Sequence, residues 1–234
     1  MRALLPARLS CCVCAVLLSL AAVTDAQTGA DAKATLSAAL SGDAAAQYRL
    51  GEMYDLGQGV AQDYAQAVAW YRRAAEQGHA PAQFALAEMY KNGDGVTKDL
   101  TQAVKWYRRA ADGGSAGAQL LLGVLYEGGT GVRQDYTDAA RWYRRSAEQG
   151  DARAQLLLAN LYQSGQGVPR SLVAAYALYT VSTDRDPKNN PSLGHRTQMA
   201  RTMSAAEIEA GQKLAADMSR PGRLGEALDR ALQR

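Results

Sequence analysis

The sequence predicts an all-α fold, a right-handed α-solenoid built from helix-turn-helix repeats. A 36-residue segment occurs four times without a gap, at 42–77, 78–113, 114–149 and 150–185. In each copy two stretches of apolar residues at helical spacing flank a Gly-x-Gly-Val segment. A fixed period of this size is typical of solenoids, in which each repeat packs only against its neighbours.

Each repeat is expected to contain two helices because it contains two apolar stripes. In the first copy, the stripe of the first helix consists of Ala46, Leu50, Met53 and Tyr54, at i, i+4, i+7 and i+8. The second stripe runs from Ala67 to Ala75 and includes a Trp-Tyr pair. Since one helix pair cannot bury both stripes, several pairs must stack.

The segments between the helices carry turn and capping residues. Gly57 and Gly59 are expected at the C-terminus of the first helix, where a left-handed residue commonly sits. Asp63 and its counterparts Asp99 and Asp135 precede the second helix and are expected to accept from its free N–H groups. Ser171 takes this place in the fourth copy.

These residues resemble the Sel1-like repeat, a relative of the tetratricopeptide repeat. The resemblance rests on "AQYRLGEMYDLGQGV" from Ala46 and "DYAQAVAWYRRAA" from Asp63, and it recurs in the later copies. The fourth copy diverges, because Leu178 replaces the Trp and Thr180-Val181 replace an Arg pair. The resemblance implies an α-solenoid that mediates protein–protein contacts, often as an exported adaptor in the bacterial cell envelope.

The two ends are interpreted separately from the repeats. Residues 1–26 have the features of a secretory signal peptide, with cleavage expected after Ala26 and a periplasmic or secreted location. An uncleaved signal segment is the alternative and would be the chain's one attachment to a membrane. Residues 27–41 are interpreted as a linker and degenerate capping helix. Residues 186–234 are expected to form a polar break, "DPKNNPSLG", followed by capping helices and a tail.

The composition limits the possible chemistry. All three cysteines lie within the predicted signal peptide, so the mature chain has no thiol. The net charge is +3, and it becomes +2 when residues 1–26 are removed, which predicts no nucleic acid partner. His79 and His195 are the only histidines and have no partner at metal-ligand spacing. We therefore expect no metal, cofactor or catalytic residue, and a monomer.

An enzymatic role is the remotest alternative. The resemblance implies a β-lactamase-like hydrolase as this alternative, because some members of the family have been linked to β-lactam binding or hydrolysis. Serine β-lactamases need a Ser with a Lys three residues on, and no Ser of this chain has one. The sequence therefore favours a protein that is not an enzyme.

The helical wheel places a candidate partner-binding face on the first helices, opposite their buried stripe. Positions there vary between copies, but one row is apolar throughout. Related solenoids line their concave groove with such residues, so we expect a partner protein or peptide to bind along it. The groove residues are Tyr48, Glu52, Phe84, Glu88, Leu120, Val124, Leu156 and Asn160. Packing of the apolar row against a neighbouring helix is the alternative.

The second helices carry repeated Arg pairs. Arg73, Arg109 and Arg145 recur at one position and could form a ladder for an anionic partner such as the glycan peptidoglycan. The alternative is a solvated face, because the preceding arginines each have an acid four residues on, expected to pair with them. Those pairs are Arg72 with Glu76, Arg108 with Asp112, and Arg144 with Glu148.

Overall fold

The computed structural model describes residues 26–187 and 191–233, which hold helices and no strand. The chain divides between Asp99 and Leu100 into two compact units. The N-terminal unit contains α1 (Ala26–Leu40), α2 (Ala44–Leu56), α3 (Tyr64–Glu76) and α4 (Ala80–Asn92). The C-terminal unit contains α5 (Leu100–Asp112), α6 (Ala116–Gly128), α7 (Tyr136–Glu148), α8 (Ala152–Ser164), α9 (Leu172–Arg185), α10 (Ser192–Ala200), α11 (Ala205–Met218) and α12 (Leu224–Leu232).

Consecutive helices pack against each other from α1 to α4 in the N-terminal unit and from α5 to α10 in the C-terminal unit, which confirms the predicted all-α repeat fold. The buried core is built from the residues that recur at every step of the period. Tyr54, Leu50 and their counterparts in later copies are buried, as are the Trp-Tyr pairs of the second helices. Ala46 and Met53 of the predicted stripe are only half-buried.

The capping predictions are confirmed at three of the second helices. Asp63 accepts from the N–H groups of Ala65 and Gln66. Asp135 caps α7 in the same way, and Ser171 replaces it at α9. At the other end of the first helix, Gly57 and Gly59 have φ of 68° and 72°, as their position in the loop predicts.

The Gly-x-Gly-Val loop also brings repeats together. The second Gly of this loop lies on the backbone that starts the second helix of the preceding repeat. A Cβ on Gly95 would stand 2.3 Å from the carbonyl carbon of Tyr64, and one on Gly167 would stand 2.2 Å from that of Tyr136. Backbone cannot move aside cheaply, so only Gly permits this contact.

An invariant Gln joins the first helix of each repeat to the helix before it. Gln47 Nε2 donates to Ala39 O at 3.1 Å, and Gln83 makes the same bond to Ala75 O. In the C-terminal unit Gln119 donates to Ala111 O at 3.0 Å and Gln155 to Ala147 O at 3.2 Å. All four side chains are buried, where an unpaired amide would be costly. This bond was not predicted from the sequence.

Capping helices flank the repeats. α1 packs on α2, in agreement with the predicted N-terminal capping helix. α11 begins with a capping box between Ser204 and Glu207. It packs on α9, and a Cβ on Gly211 would stand 2.7 Å from the Tyr176 ring. The divergent fourth repeat thus packs on a capping helix.

The polar break is shorter than predicted. Helix α10 starts at Ser192, inside the segment expected to be irregular, and it includes His195. Ser192 is buried and its Oγ donates to Ser182 Oγ at 2.9 Å, so a buried hydroxyl pair holds the start of this helix on α9. The predicted signal peptide lies outside the described residues except for Ala26. Within the described part, no helix is long and apolar enough to cross a membrane.

Gly167→Ala should destabilise the protein far more than Gly222→Ala. Both glycines have a φ of 70°, which costs an alanine about 1 kcal/mol. Gly222 has open space around it, whereas Gly167 lies against the Tyr136 backbone, so we expect its total cost to reach about 3 kcal/mol or more. Urea denaturation of both variants measures the difference, and equal losses would contradict the close backbone contact.

Gln119→Met should lower the free energy of unfolding by about 1–3 kcal/mol. The change keeps the volume of the side chain but removes its bond to Ala111 O, which retains the bond from Gly114 N–H. It also leaves the amide of Gln149, which donates to Gln119 Oε1 at 2.8 Å, without this acceptor. The control is Gln212→Met on the exposed side of α11, expected to stay within about 0.5 kcal/mol of the parent. A neutral Gln119→Met would show that the bond contributes little.

Candidate functional site

The predicted groove face of the N-terminal unit is built on a pair of tyrosines. The Tyr48 ring centroid lies 5.7 Å from that of Tyr71 and 5.1 Å from that of His79. Tyr48 OH donates to Glu52 Oε1 at 2.6 Å, and Tyr71 OH donates to Asp55 Oδ2 at 3.2 Å. Two carboxylates are therefore held in fixed positions above an aromatic layer.

Burial is the main reason why the pKa of both hydroxyls is raised above the usual value for tyrosine. The neighbouring carboxylates Glu52 and Asp55 raise the pKa of Tyr48 and Tyr71 further, because they disfavour a second negative charge. The two phenols therefore stay protonated and act as hydrogen-bond donors. These phenols are therefore not suited to act as general bases near neutral pH.

His79 has a structural role. Its Nδ1 accepts from the N–H of Ala82 at 3.3 Å and so caps α4, while its ring lies against Tyr48. On the same helix Phe84 and Glu88 are half-buried, and Glu88 pairs with Lys91. The acidic and apolar groove residues of this unit therefore lie at the surface without being fully exposed.

In the C-terminal unit the predicted apolar row is unevenly exposed. Leu120 is 4% exposed and belongs to the core, so the prediction that this row lies open is wrong at Leu120. Leu156 is half-buried. Val124, one turn after Leu120, is 43% exposed and is the apolar side chain that a partner could reach.

The tyrosine–acid arrangement recurs in the C-terminal unit. Tyr143 OH donates a short hydrogen bond to Glu127, and burial raises the pKa of this phenol. In the fourth repeat Tyr179 OH lies 2.6 Å from both Asn160 Oδ1 and Gln163 Oε1, and its ring faces His195 at 5.5 Å. The groove face is thus acidic at Glu127 and uncharged at Asn160 and Gln163.

The role of the invariant Tyr of the second helices was not predicted from the sequence. The apolar stripe places Tyr71 in the core, and its ring is buried there, but its hydroxyl also holds Asp55 on the groove face. The available signal was a polar residue 16 positions before each invariant Tyr. That position holds Asp55, Lys91, Glu127 and Gln163 in the four copies.

The predicted Arg ladder consists of guanidinium groups lying on indole rings. The Cζ atoms of Arg73, Arg109 and Arg145 lie 4.3, 4.6 and 4.8 Å from the ring centroids of the Trp three residues before each of them. Such a cation–π contact fixes the guanidinium and leaves its edge N–H groups exposed. Arg145 also pairs with Asp112 at 3.5 Å.

The expected pairing of the other arginines with acids four residues on is wrong for two of the three. Arg72 Nη2 donates to Tyr90 OH at 2.7 Å, and Arg108 makes the same bond to Tyr126 OH. Arg144 does pair with Glu148, at 2.9 Å. Arg144 also donates to Asp229 of α12, with its Nη1 and Nη2 each 2.6 Å from a carboxylate oxygen.

This bidentate pair makes the docking of α12 dependent on pH. The Arg144 guanidinium holds the pKa of Asp229 below its usual range. A carboxyl whose pKa is lower in the folded state contributes its full stability above the unfolded pKa of about 4 and loses it as the pH falls through the folded pKa. We therefore expect α12 to loosen below about pH 4, before the repeats unfold.

Hydrogen exchange of the α12 amides measures this loosening. Asp229→Asn should expose the α12 amides at neutral pH and abolish the pH dependence. The control Glu209→Gln removes an exposed partner of Lys213 on α11 and should leave α12 protected. Protection of α12 that is independent of pH in the parent would contradict the role of the ion pair.

In the described part of the chain, no group of three or more His, Cys, Asp or Glu side chains is arranged to hold a metal ion. The histidines lie in separate units, on Tyr48 and on Tyr179. The predicted groove face thus offers hydrogen-bonding groups and charges in fixed positions, with Val124 as an exposed apolar side chain.

Comparison with known proteins identifies the repeat. The family model described as "Sel1 repeat" matches residues 44–79, 80–115, 116–151 and 152–186. A solved protective antigen of uropathogenic Escherichia coli with an SLR fold is 37% identical, with a TM-score of 0.67 over 80% of this chain. This chain spans only 43% of that protein's length.

A solved Sel1 repeat protein from Oxalobacter formigenes is 35% identical, with a TM-score of 0.63, over 74% of this chain and 70% of its own. A comparison with curated proteins gave no significant match. Sel1 repeat proteins generally serve as non-enzymatic scaffolds that bind other proteins. On the four matched repeats, which cover more than half of its length, this chain belongs to the Sel1 repeat family.

Proposed function

We propose that this chain is an exported, non-enzymatic adaptor that holds a partner protein on the outward face of its first helices. The observation that carries the proposal is a contrast between two sets of positions. The core and loop residues repeat in all four copies, whereas the residues above the tyrosine layer change from copy to copy. Residues that the fold does not dictate are free to be selected for a partner.

The chemistry of this face supports a protein ligand. Tyr48 and Tyr71 fix the carboxylates of Glu52 and Asp55, and in the C-terminal unit Val124 stands exposed beside the tyrosine-bound Glu127. Fixed acceptors and an exposed apolar contact suit the main chain and side chains of a peptide segment. Membership of a family that generally binds proteins supports the same conclusion.

The location is part of the proposal. The apolar N-terminal segment with two early arginines supports export to the periplasm or beyond, with cleavage after Ala26. The mature chain would then be cysteine-free, so its stability would rest on the buried repeat core. The proposed partner is therefore another envelope or secreted protein, bound by a monomeric adaptor.

Val124→Asp should abolish capture of the partner from envelope extract by residues 27–234 without lowering the melting temperature by more than about 2 °C. A charge placed on an exposed contact disrupts a partner but not a core. Leu120→Asp is unsuitable for this test, because it would bury a carboxylate.

The matched control is Leu193→Asp on α10, where the parent side chain is 46% exposed, close to the 43% of Val124. This control should capture the partner as the parent does. Equal capture by the Val124 and Leu193 variants would reject the groove. A ligand retained by both variants and identified as cell-wall glycan would instead favour the glycan-binding alternative, which rests on the indole-stacked arginines.

A further inference from the structure

Each of the first three repeats has an arginine directly before the one that lies on the indole ring. These arginines are Arg72, Arg108 and Arg144, and they differ in their hydrogen-bond partners. Arg144 binds a carboxylate supplied by the C-terminal helix α12. Its two terminal nitrogens each lie 2.6 Å from an oxygen of Asp229, and Nη2 also lies 2.9 Å from Gly225 O. This is the bidentate geometry in which a guanidinium recognises a carboxylate most specifically.

The face of α12 that meets Arg144 has a defined pattern. Gly225 and Asp229 lie one turn apart, so both point to the same side of the helix. A Cβ on Gly225 would stand 2.2 Å from Glu148 Oε1, so a larger residue here would have to displace the end of the Glu148 side chain. Leu224 and Leu228 are buried beside them and anchor the helix. The ligand of Arg144 is thus an amphipathic helix with a Gly-x-x-x-Asp face.

Arg72 and Arg108 occupy the same place in the first and second repeats without such a ligand. Both are exposed, and each is held by an uncharged tyrosine hydroxyl, Tyr90 or Tyr126. Among the described residues no carboxylate forms an ion pair with either arginine. Their charge is therefore not neutralised, in contrast to that of Arg144, which is shared between Glu148 and Asp229.

The surroundings of the three arginines match. Next to Arg72 and Arg108 stand Arg73 and Arg109, each laid on an indole ring. Next to Arg144 stands Arg145, laid on an indole ring in the same way. Tyr162 is the counterpart of Tyr90 and Tyr126, and its pKa is raised by burial, lowered by the Arg144 charge and raised by the Asp229 charge. In the third repeat a carboxylate of α12 thus binds an arginine whose counterparts in the first two repeats have no carboxylate partner among the described residues.

We propose that Arg72 and Arg108 each bind the carboxylate of an acidic amphipathic helix in a partner protein, in the manner in which Arg144 binds α12. The partner helix carries an Asp, with a small residue four positions before it as in α12. The ion pair is charge-complementary. These arginines lie on the second helices, so the proposal stands or falls independently of the groove on the first helices.

The probe is the chain's own helix added in trans, as a peptide of residues 222–233. Short peptides are poorly helical in water, so the peptide carries Arg230→Lys with a side-chain lactam from that residue to Glu226, two positions that are exposed on α12. Isothermal titration into the full mature chain at low salt measures affinity and stoichiometry. In trans the peptide lacks the covalent tether that raises the effective concentration of α12, so concentrated solutions are needed.

We expect two peptides per chain, one for Arg72→Gln or Arg108→Gln alone, and none for the double variant. The peptide with Asp229→Asn should bind about tenfold or more weakly, because it loses a charge-assisted bidentate pair. As a matched protein control, Arg153→Gln changes an exposed arginine of α8 that has no acidic partner among the described residues, and it should bind the peptide as the parent does.

Three results would overturn the proposal. The first is no saturable binding by the parent chain. The second is binding that survives in the double arginine variant, which would show that the peptide only displaces α12 from Arg144. The third is equal binding of the Asp229→Asn peptide, which would show that the contact is apolar and does not involve the carboxylate.

Discussion

A buried hydrogen bond from a glutamine amide to a main-chain carbonyl joins each repeat to the helix before it, and the rest of the structure depends on it. The bond spans eight residues, from the first helix of one repeat back to the last turn of the preceding helix. The same carbonyl also accepts from the N–H of the glycine that opens the next repeat, so the glutamine uses its second acceptor position. Since each copy makes the bond, it fixes the spacing at which the apolar stripes meet.

The side-chain oxygen of this glutamine shows how the repeats differ. In the first and third repeats another glutamine, at the end of the second helix, donates to it: Gln77 to Gln47 and Gln149 to Gln119. The second repeat has Gly113 at that place, and the fourth has Arg185. Gln155 Oε1 is accordingly buried without a partner in the described part of the chain. The fourth repeat is therefore the less completely satisfied one, where the capping helices take over.

Core residues also shape the surface. The invariant tyrosine of the second helix fills the core with its ring and positions a groove residue with its hydroxyl, so one side chain serves both the packing and the proposed binding face. On the second helices, Arg72 and Arg108 donate to a tyrosine hydroxyl, whereas their counterpart Arg144 donates to a carboxylate. The difference arises because α12 folds back onto α7 only at the third copy. A repeat that is regular in sequence thus gives chemically distinct places on its surface.

The sequence by itself determined the all-α repeat, the two helices of each copy, the cap at Asp63 and most of the core. These depend on periodicity, on glycine at left-handed positions and on short polar side chains before helices, all of which act locally. Tertiary structure alone decided that Leu120 is core while Val124 is exposed, that Arg72 and Arg108 meet tyrosines rather than acids, and that α10 starts within the polar break. Those outcomes depend on which neighbour lies against a helix face, and helical spacing within one segment does not contain that information.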